Sequence, residues 1–216
     1  MRSNFVRQLA RLDEMLLQMC SLCEQAIDGA VDALLTGSAT KAKLAVEAEK
    51  KTNTMEAEIE SLCLKLLLLQ QPVASDLRKI STALKMITDL ERIGDQCADI
   101  AAIITTTDVE AGIHSINIDN MADIITGMVT DSIKSFVDRD YDLAEEVIQR
   151  DLQVDKIFED IKQEIVKNII TDPHKCDYAF DMIMLTKYLE RIGDHAQNIG
   201  EWAKYSITGI HTSTEP

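Results

Sequence analysis

The hexapeptide Leu90-Glu91-Arg92-Ile93-Gly94-Asp95 returns unchanged as Leu189-Glu190-Arg191-Ile192-Gly193-Asp194. A motif that recurs after about 100 residues marks one structural module used twice. The flanks carry the same order. Lys85-Met86-Ile87-Thr88-Asp89 and Met184-Leu185-Thr186-Lys187-Tyr188 lead into the two copies, and Cys97-Ala98-Asp99-Ile100 and Ala196-Gln197-Asn198-Ile199 follow them. Whatever this chain folds into must accommodate two like halves sharing one body.

The module is helical. Leu9, Leu12, Leu16, Met19, Cys23, Ile27, Ala30, Val31 and Leu34 recur at three-to-four spacing, so one stripe of a helix from Phe5 to Leu35 is apolar. Thr36-Gly37-Ser38 ends it, and Ser38 or Thr40 can cap a second helix from Lys41 to Leu69, with Leu44, Ala48, Met55, Ile59, Leu62, Leu66 and Leu69 inward. Gln71-Pro72 starts a third, which carries Leu77, Ile80, Leu84, Ile87 and Leu90 through the motif to Thr105. The second half repeats the order: Ile116 to Val137, a turn at Asp138-Arg139-Asp140, Leu143 to Ile170, a break at Asp172-Pro173, and a last helix to Ile207. Its middle helix pairs Glu49 with Asp151 and Asn53 with Asp155, at an offset that makes the loop after it about three residues shorter. Only 4% aromatic residues and 3 Pro argue against sheets. The expectation is all-α: two tandem pseudo-symmetric three-helix bundles with sequential helices antiparallel. Residues 1–107 form the first repeat, 112–207 the second and 208–216 a polar tail, with a hinge at Thr105-Thr106-Thr107-Asp108 and Gly112.

A formal net charge of −15 repels nucleic acid and anionic lipid, and no basic patch reverses it, since Arg2, Arg7 and Arg11 read as one helix face. No apolar run approaches a membrane span and the N-terminus has no signal-peptide pattern, so the expected location is cytoplasmic. Cys20, Cys23, Cys63, Cys97 and Cys176 are odd in number and read as reduced thiols. The Cys20-Ser21-Leu22-Cys23 spacing has no second pair to make a metal or redox site.

Within each motif the acids stand four apart, which puts Glu91 beside Asp95 and Glu190 beside Asp194, about 5 to 6 Å apart on one face. That is chelating distance. Glu49 with Asn53, and Asp151 with Asp155, offer the same spacing on the middle helices, so facing pairs would give a hard oxygen-rich site suited to Mg, Mn or Fe. Asp99 steps outward from Asp95. A bland reading competes: the acids pair with Lys or Arg, or are solvated. Gly94 and Gly193 cost helix stability at one register twice, which implies close approach of another helix or a ligand. Arg92 and Arg191 point a quarter turn away, towards a salt bridge or a partner. His195 reads equally as structural or as a ligand, while His114, His174 and His211 carry little signal. No Glu is followed three residues later by His, as di-iron oxidases require, and P-loop, H-E-x-x-H and G-x-S-x-G motifs are absent. The expected protein is not an enzyme.

The doubled Leu-Glu-Arg-Ile-Gly-Asp, Gln71-Pro72-Val73-Ala74-Ser75-Asp76-Leu77-Arg78 and Asp194-His195-Ala196-Gln197-Asn198-Ile199-Gly200-Glu201-Trp202 together resemble the PhoU family of phosphate-signalling proteins. Asp140-Tyr141-Asp142-Leu143-Ala144 with Asp151 and Asp155 adds to the likeness, which spans nearly the whole chain. The resemblance implies a fold of paired three-helix bundles, commonly dimeric. It implies divalent or trivalent metal ions (Mg, Mn, Fe or Zn) at Glu91 with Asp95, Glu190 with Asp194, and Asp151 with Asp155. Asp99 and its counterpart Asn198 lie beside these pairs. Asn53 departs from the pattern, so the first-repeat site with Glu49 is expected to hold fewer or weaker ions. The implied role is regulatory: restraint of the phosphate-starvation response by linking the ATPase of a phosphate ABC transporter with a sensor histidine kinase. A metal-dependent enzyme or metal store built on the same acids is the alternative.

Overall fold

The structure is a computed structural model, which describes residues 2–69, 73–106, 118–172, 174 and 176–210. Those residues form six helices: α1 (Arg2–Thr36), α2 (Ala39–Leu69), α3 (Ala74–Thr106), α4 (Ile118–Asp138), α5 (Tyr141–Thr171) and α6 (Cys176–Thr208). The all-α duplicated architecture is as expected. Gln71-Pro72, Pro173, most of the junction from Thr107 to Gly112, His114, Ile116 and the tail from His211 onward lie outside the described residues.

The connections follow from local chemistry. Gly37 adopts φ 65° and donates its N–H to Ala33 O at 2.8 Å, closing α1 in a conformation that a Cβ would oppose. Ser38 Oγ then accepts from Lys41 N at 3.4 Å and opens α2. In the second repeat Arg139 takes the left-handed φ of 57°, and Asp140 caps α5 by accepting from Leu143 N at 3.0 Å.

Side-chain contacts fix the directions. Asp13 meets Lys79 and Cys23 donates to Leu90 O, so α1 and α3 advance together and run parallel. Asp89 of α3 meets His195 of α6, whereas Arg78, earlier in α3, lies against Gly209 beyond the end of α6, so these two helices cross antiparallel. The α3–α6 and α1–α4 contacts join the repeats around one continuous core, in which Leu16, Met19, Ile87, Leu90, Ile133 and Leu189 are almost wholly shielded from solvent.

Two inward positions expected from periodicity face solvent instead. Leu44 is exposed because the first half of α2 turns Ala42, Ala45, Ala48 and Thr52 inward; a Cβ on Gly29 would stand only 3.0 Å from Ala45 N, so the α1–α2 contact admits only small residues. Leu77 is also exposed, in the first turn of α3, and burial there begins at Ile80. Leu69's inward placement rests on a side chain outside the described residues.

All five cysteines are free; Cys20, Cys23, Cys63 and Cys97 are buried and Cys176 is exposed. The Cys20–Cys23 pair splits between neighbours, Cys20 donating to Val129 O at 3.7 Å and Cys23 to Leu90 O at 3.3 Å. Among the described residues no helix is long and apolar enough to cross a membrane.

Candidate metal centre

The second repeat brings three predicted acids together. Carboxylate oxygens of Asp151 and Asp155, one turn apart on α5, and of Asp194 on α6 all lie within 4.8 Å of one another. Helix spacing sets the α5 pair on one face, and Gly193 lets α6 come close enough to add Asp194. A Cβ at Gly193 would stand 3.1 Å from Asp151 Oδ1 and 3.1 Å from Val154 Cγ1. In this repeat the glycine therefore marks a real close approach.

Asp151 is 5% exposed, and its Oδ1 has no hydrogen-bond partner. A buried carboxylate oxygen left without a donor costs several kcal/mol. Burial pushes the Asp151 carboxyl up to about 7, with the negative charges of Asp155, Asp194 and Glu190 adding to the rise. Burial likewise raises Asp194 and Glu190. A charge-dense set of oxygens with a buried, orphaned member fits a hard cation: Asp151, Asp155, which is open to solvent, and Asp194 are the residues that would hold it, with Glu190 beside them on α6. Glu190 lies outside that converging trio: its side chain is 10% exposed and ion-paired to Lys187, near enough for its charge to act on Asp151.

The first repeat answers the same charge problem internally. Arg92 turns back onto the acids, its Nε 3.3 Å from Glu91 and its Nη1 3.0 Å from Asp95. This corrects the expectation that Arg92 points away: the long side chain spans the quarter turn that separates its Cα from the acids. Asn53 donates to Glu49 Oε1 at 2.5 Å, so the amide uses an oxygen that a facing carboxylate would have left free. Gly94 is looser than Gly193, with Glu49 Cα the nearest atom to a Cβ placed there, at 3.6 Å. Burial raises Glu91, reinforced by Asp95.

Asp99 and Asn198 follow one turn beyond Asp95 and Asp194. Eight residues beyond the motif Glu, the helix has turned about 80°, which carries both positions towards the other repeat. Asn198 donates to Asp89 Oδ1 at 3.3 Å. Asp99 is exposed and its carboxyl is raised, by burial first and then by Asp95, while Arg191 opposes the rise. His195, read as structural or ligating, has its Nδ1 3.0 Å from Asp89 Oδ1 across the α3–α6 seam. Two relevant residues escaped the sequence reading. Glu56 stands two turns beyond Glu49, and its carboxyl is raised by burial first, in the field of Glu60, Arg92 and Asp95. Lys187 precedes Glu190 by one turn, a spacing that could have identified it.

The PhoU domain model matches residues 16–104 and again 118–203. The chain belongs to the PhoU family. Among its relatives, the phosphate-specific transport system accessory protein PhoU homolog of Clostridium acetobutylicum is 36% identical over 211 residues, 96% of each chain. The homolog of the same name from Pseudomonas aeruginosa is 33% identical, covering 95% of this chain and 86% of that one. The crystal structure of PhoU from Pseudomonas aeruginosa matches with a TM-score of 0.90 at 32% identity, over 95% of this chain and 100% of the other. The phosphate transport system regulatory protein PhoU of Streptococcus pneumoniae matches with a TM-score of 0.88 at 26% identity, over 96% and 99%. Each matched segment contains one copy of the doubled hexapeptide.

Proposed function

We propose that this PhoU-family chain is an accessory protein of phosphate-specific transport, a non-catalytic regulator that restrains the phosphate-starvation response. The observation that carries this reading is the end-to-end match to relatives named as accessory proteins of the phosphate-specific transport system, 96% of both chains in the Clostridium acetobutylicum case. Coverage of that extent leaves no large domain of the relative unaccounted for. In finer detail, the chain links the ATPase subunit of the phosphate ABC transporter with the sensor histidine kinase, works in the cytoplasm and pairs with a second copy of itself.

In this reading metal belongs chiefly to the second repeat. Asp151, Asp155, Glu190 and Asp194 would hold a divalent or trivalent cation, which would neutralise the shared charge and join α5 to α6. The orphaned Asp151 Oδ1 supports this, since water or protein donors satisfy most buried carboxylates. Glu91, Asp95, Glu49 and Asn53 form the weaker counterpart, already occupied by Arg92 and by the Asn53 amide.

Affinity capture of the tagged protein from phosphate-replete and phosphate-starved cells tests the partner assignment. A phosphate-transporter ATPase or a sensor kinase whose recovery changes with phosphate is the expected result. Absence of both under both conditions, with the captured protein folded, contradicts it.

A further inference from the structure

The two repeats place an internal cation against equivalent acids from different sequence positions. In the first repeat it is Arg92, one residue after Glu91. In the second, the equivalent Arg191 is exposed, and Lys187, one turn before Glu190, reaches both oxygens of Glu190 instead. The first-repeat counterpart of Lys187 is Thr88, an uncharged exposed residue whose hydroxyl bonds Leu84 O at 3.5 Å.

Lys187 is built to hold that position and to leave it. Its ammonium sits 5.3 Å from the centre of the Phe158 ring, which favours a cation on its face. Its side chain is 43% exposed, so release into water needs only rotation about its own bonds. Glu190, by contrast, is only 10% exposed.

We propose that Lys187 is a tethered counter-ion for the second-repeat site: it holds Glu190 while the site is free of metal, and an incoming cation displaces it into solvent. This rests on the metal reading above. An ammonium covering both oxygens of Glu190 takes the lone pairs a cation would use, and two positive charges at one carboxylate repel. Cation binding therefore costs the Lys187–Glu190 pair, lowering affinity while protecting the empty site from its own charge. It also converts occupancy into an event at the surface, because a free ammonium appears beside Phe158.

The test titrates the metal-stripped full chain with Mn2+ by calorimetry, in a Glu91→Gln/Asp95→Asn background that silences the first repeat. Lys187→Met keeps the aliphatic stem and Lys187→Arg keeps the charge. Lys187→Met is expected to bind Mn2+ at least tenfold tighter than the parent and to melt lower when metal-free, with Lys187→Arg within about threefold of the parent. Equal or weaker binding by Lys187→Met, while the parent binds, overturns the counter-ion role and leaves the metal reading standing. No Mn2+ binding by either overturns both. A second measurement needs no variant: acetylation of Lys187 in the wild-type chain, followed by peptide mass spectrometry, should accelerate severalfold on saturation with Mn2+. An unchanged rate with metal bound also overturns the proposal.

Discussion

Gly193 lies under Asp151: a Cβ there would stand 3.1 Å from Asp151 Oδ1, so the carboxylate would have to give by a few tenths of an ångström. The equivalent Gly94 has nothing within 3.6 Å of that point. The same residue in the same motif therefore does different work in the two repeats, and alanine separates them. Gly94→Ala should stabilise the protein by up to about 1 kcal/mol through reduced backbone entropy in a helix interior. Gly193→Ala presses on Asp151 and on the stiff Val154 and should destabilise by about 1 to 3 kcal/mol, the usual range for overpacking. Urea unfolding of both variants, metal-free, checks the difference in sign.

Asp151 is the member of the second-repeat cluster with least access to water. Asp151→Asn removes one of several mutually repelling charges, so the metal-free variant should melt at least as high as the parent at pH 8. It should also lose the rise in Tm that Mn2+ gives the parent, because a ligand that binds only the folded state stabilises it by mass action. Thermal melts with and without Mn2+ read both effects, and a full metal response in the variant contradicts the assignment of Asp151 as a ligand.

The thiols give a prediction independent of metal. Burial pushes Cys20 and Cys63 up to about 12, and raises Cys23 and Cys97 well above the usual thiol range. A thiol at about 12 is ionised in roughly one molecule in ten thousand at pH 8, and the thiolate is the reactive form. The native protein should therefore show one fast-reacting thiol with a disulfide reagent, Cys176, and all five in denaturant. Two or more fast thiols in the native state contradict the buried placement.

Glu145 and Lys204 join α5 to α6 through a part-buried pair, with the Lys204 ammonium 5.2 Å from the Tyr141 ring centre. The hydrogen bond from Lys204 lowers Glu145, and the reciprocal contact raises Lys204. A depressed carboxyl contributes stability above its unfolded value, and that contribution is lost as pH falls through its folded value. A raised amine contributes below its unfolded value and loses the contribution at higher pH. The window thus runs from about 4.5 to about 10.5. Lys204→Met should cost about 1 kcal/mol at pH 7 by urea unfolding, since Glu145 stays partly open to solvent, and the charge-dependent part should fade as pH falls through the lowered folded value of Glu145.

The doubled hexapeptide made the fold legible because helical periodicity and the period of the repeat point to one architecture. The acid pairs were legible for the same reason, since four-residue spacing on a helix places two carboxylates together whatever surrounds them. Long cations were not. Arg92 and Lys187 reach their acids through flexible stems, so Cα position on a helical wheel does not show where the charge ends. Asp99 and Asn198 continue the motif's spacing, but helix rotation carries them towards the seam between repeats, where Asn198 donates to Asp89 and the charge of Arg191 acts on Asp99. Leu44 faced the wrong way because Gly29 and Ala45 set the α1–α2 distance, a tertiary choice that hydrophobic periodicity does not record.

The most direct test of the account asks whether the second-repeat carboxylates serve regulation. In a strain lacking this gene, a phosphate-starvation reporter would be followed under phosphate-replete growth, with the wild-type chain or Asp151→Asn/Asp194→Asn supplied in trans. The account predicts that the wild type restores repression and that the double variant, helical by circular dichroism and equally abundant, does not. Full repression by the double variant would contradict it.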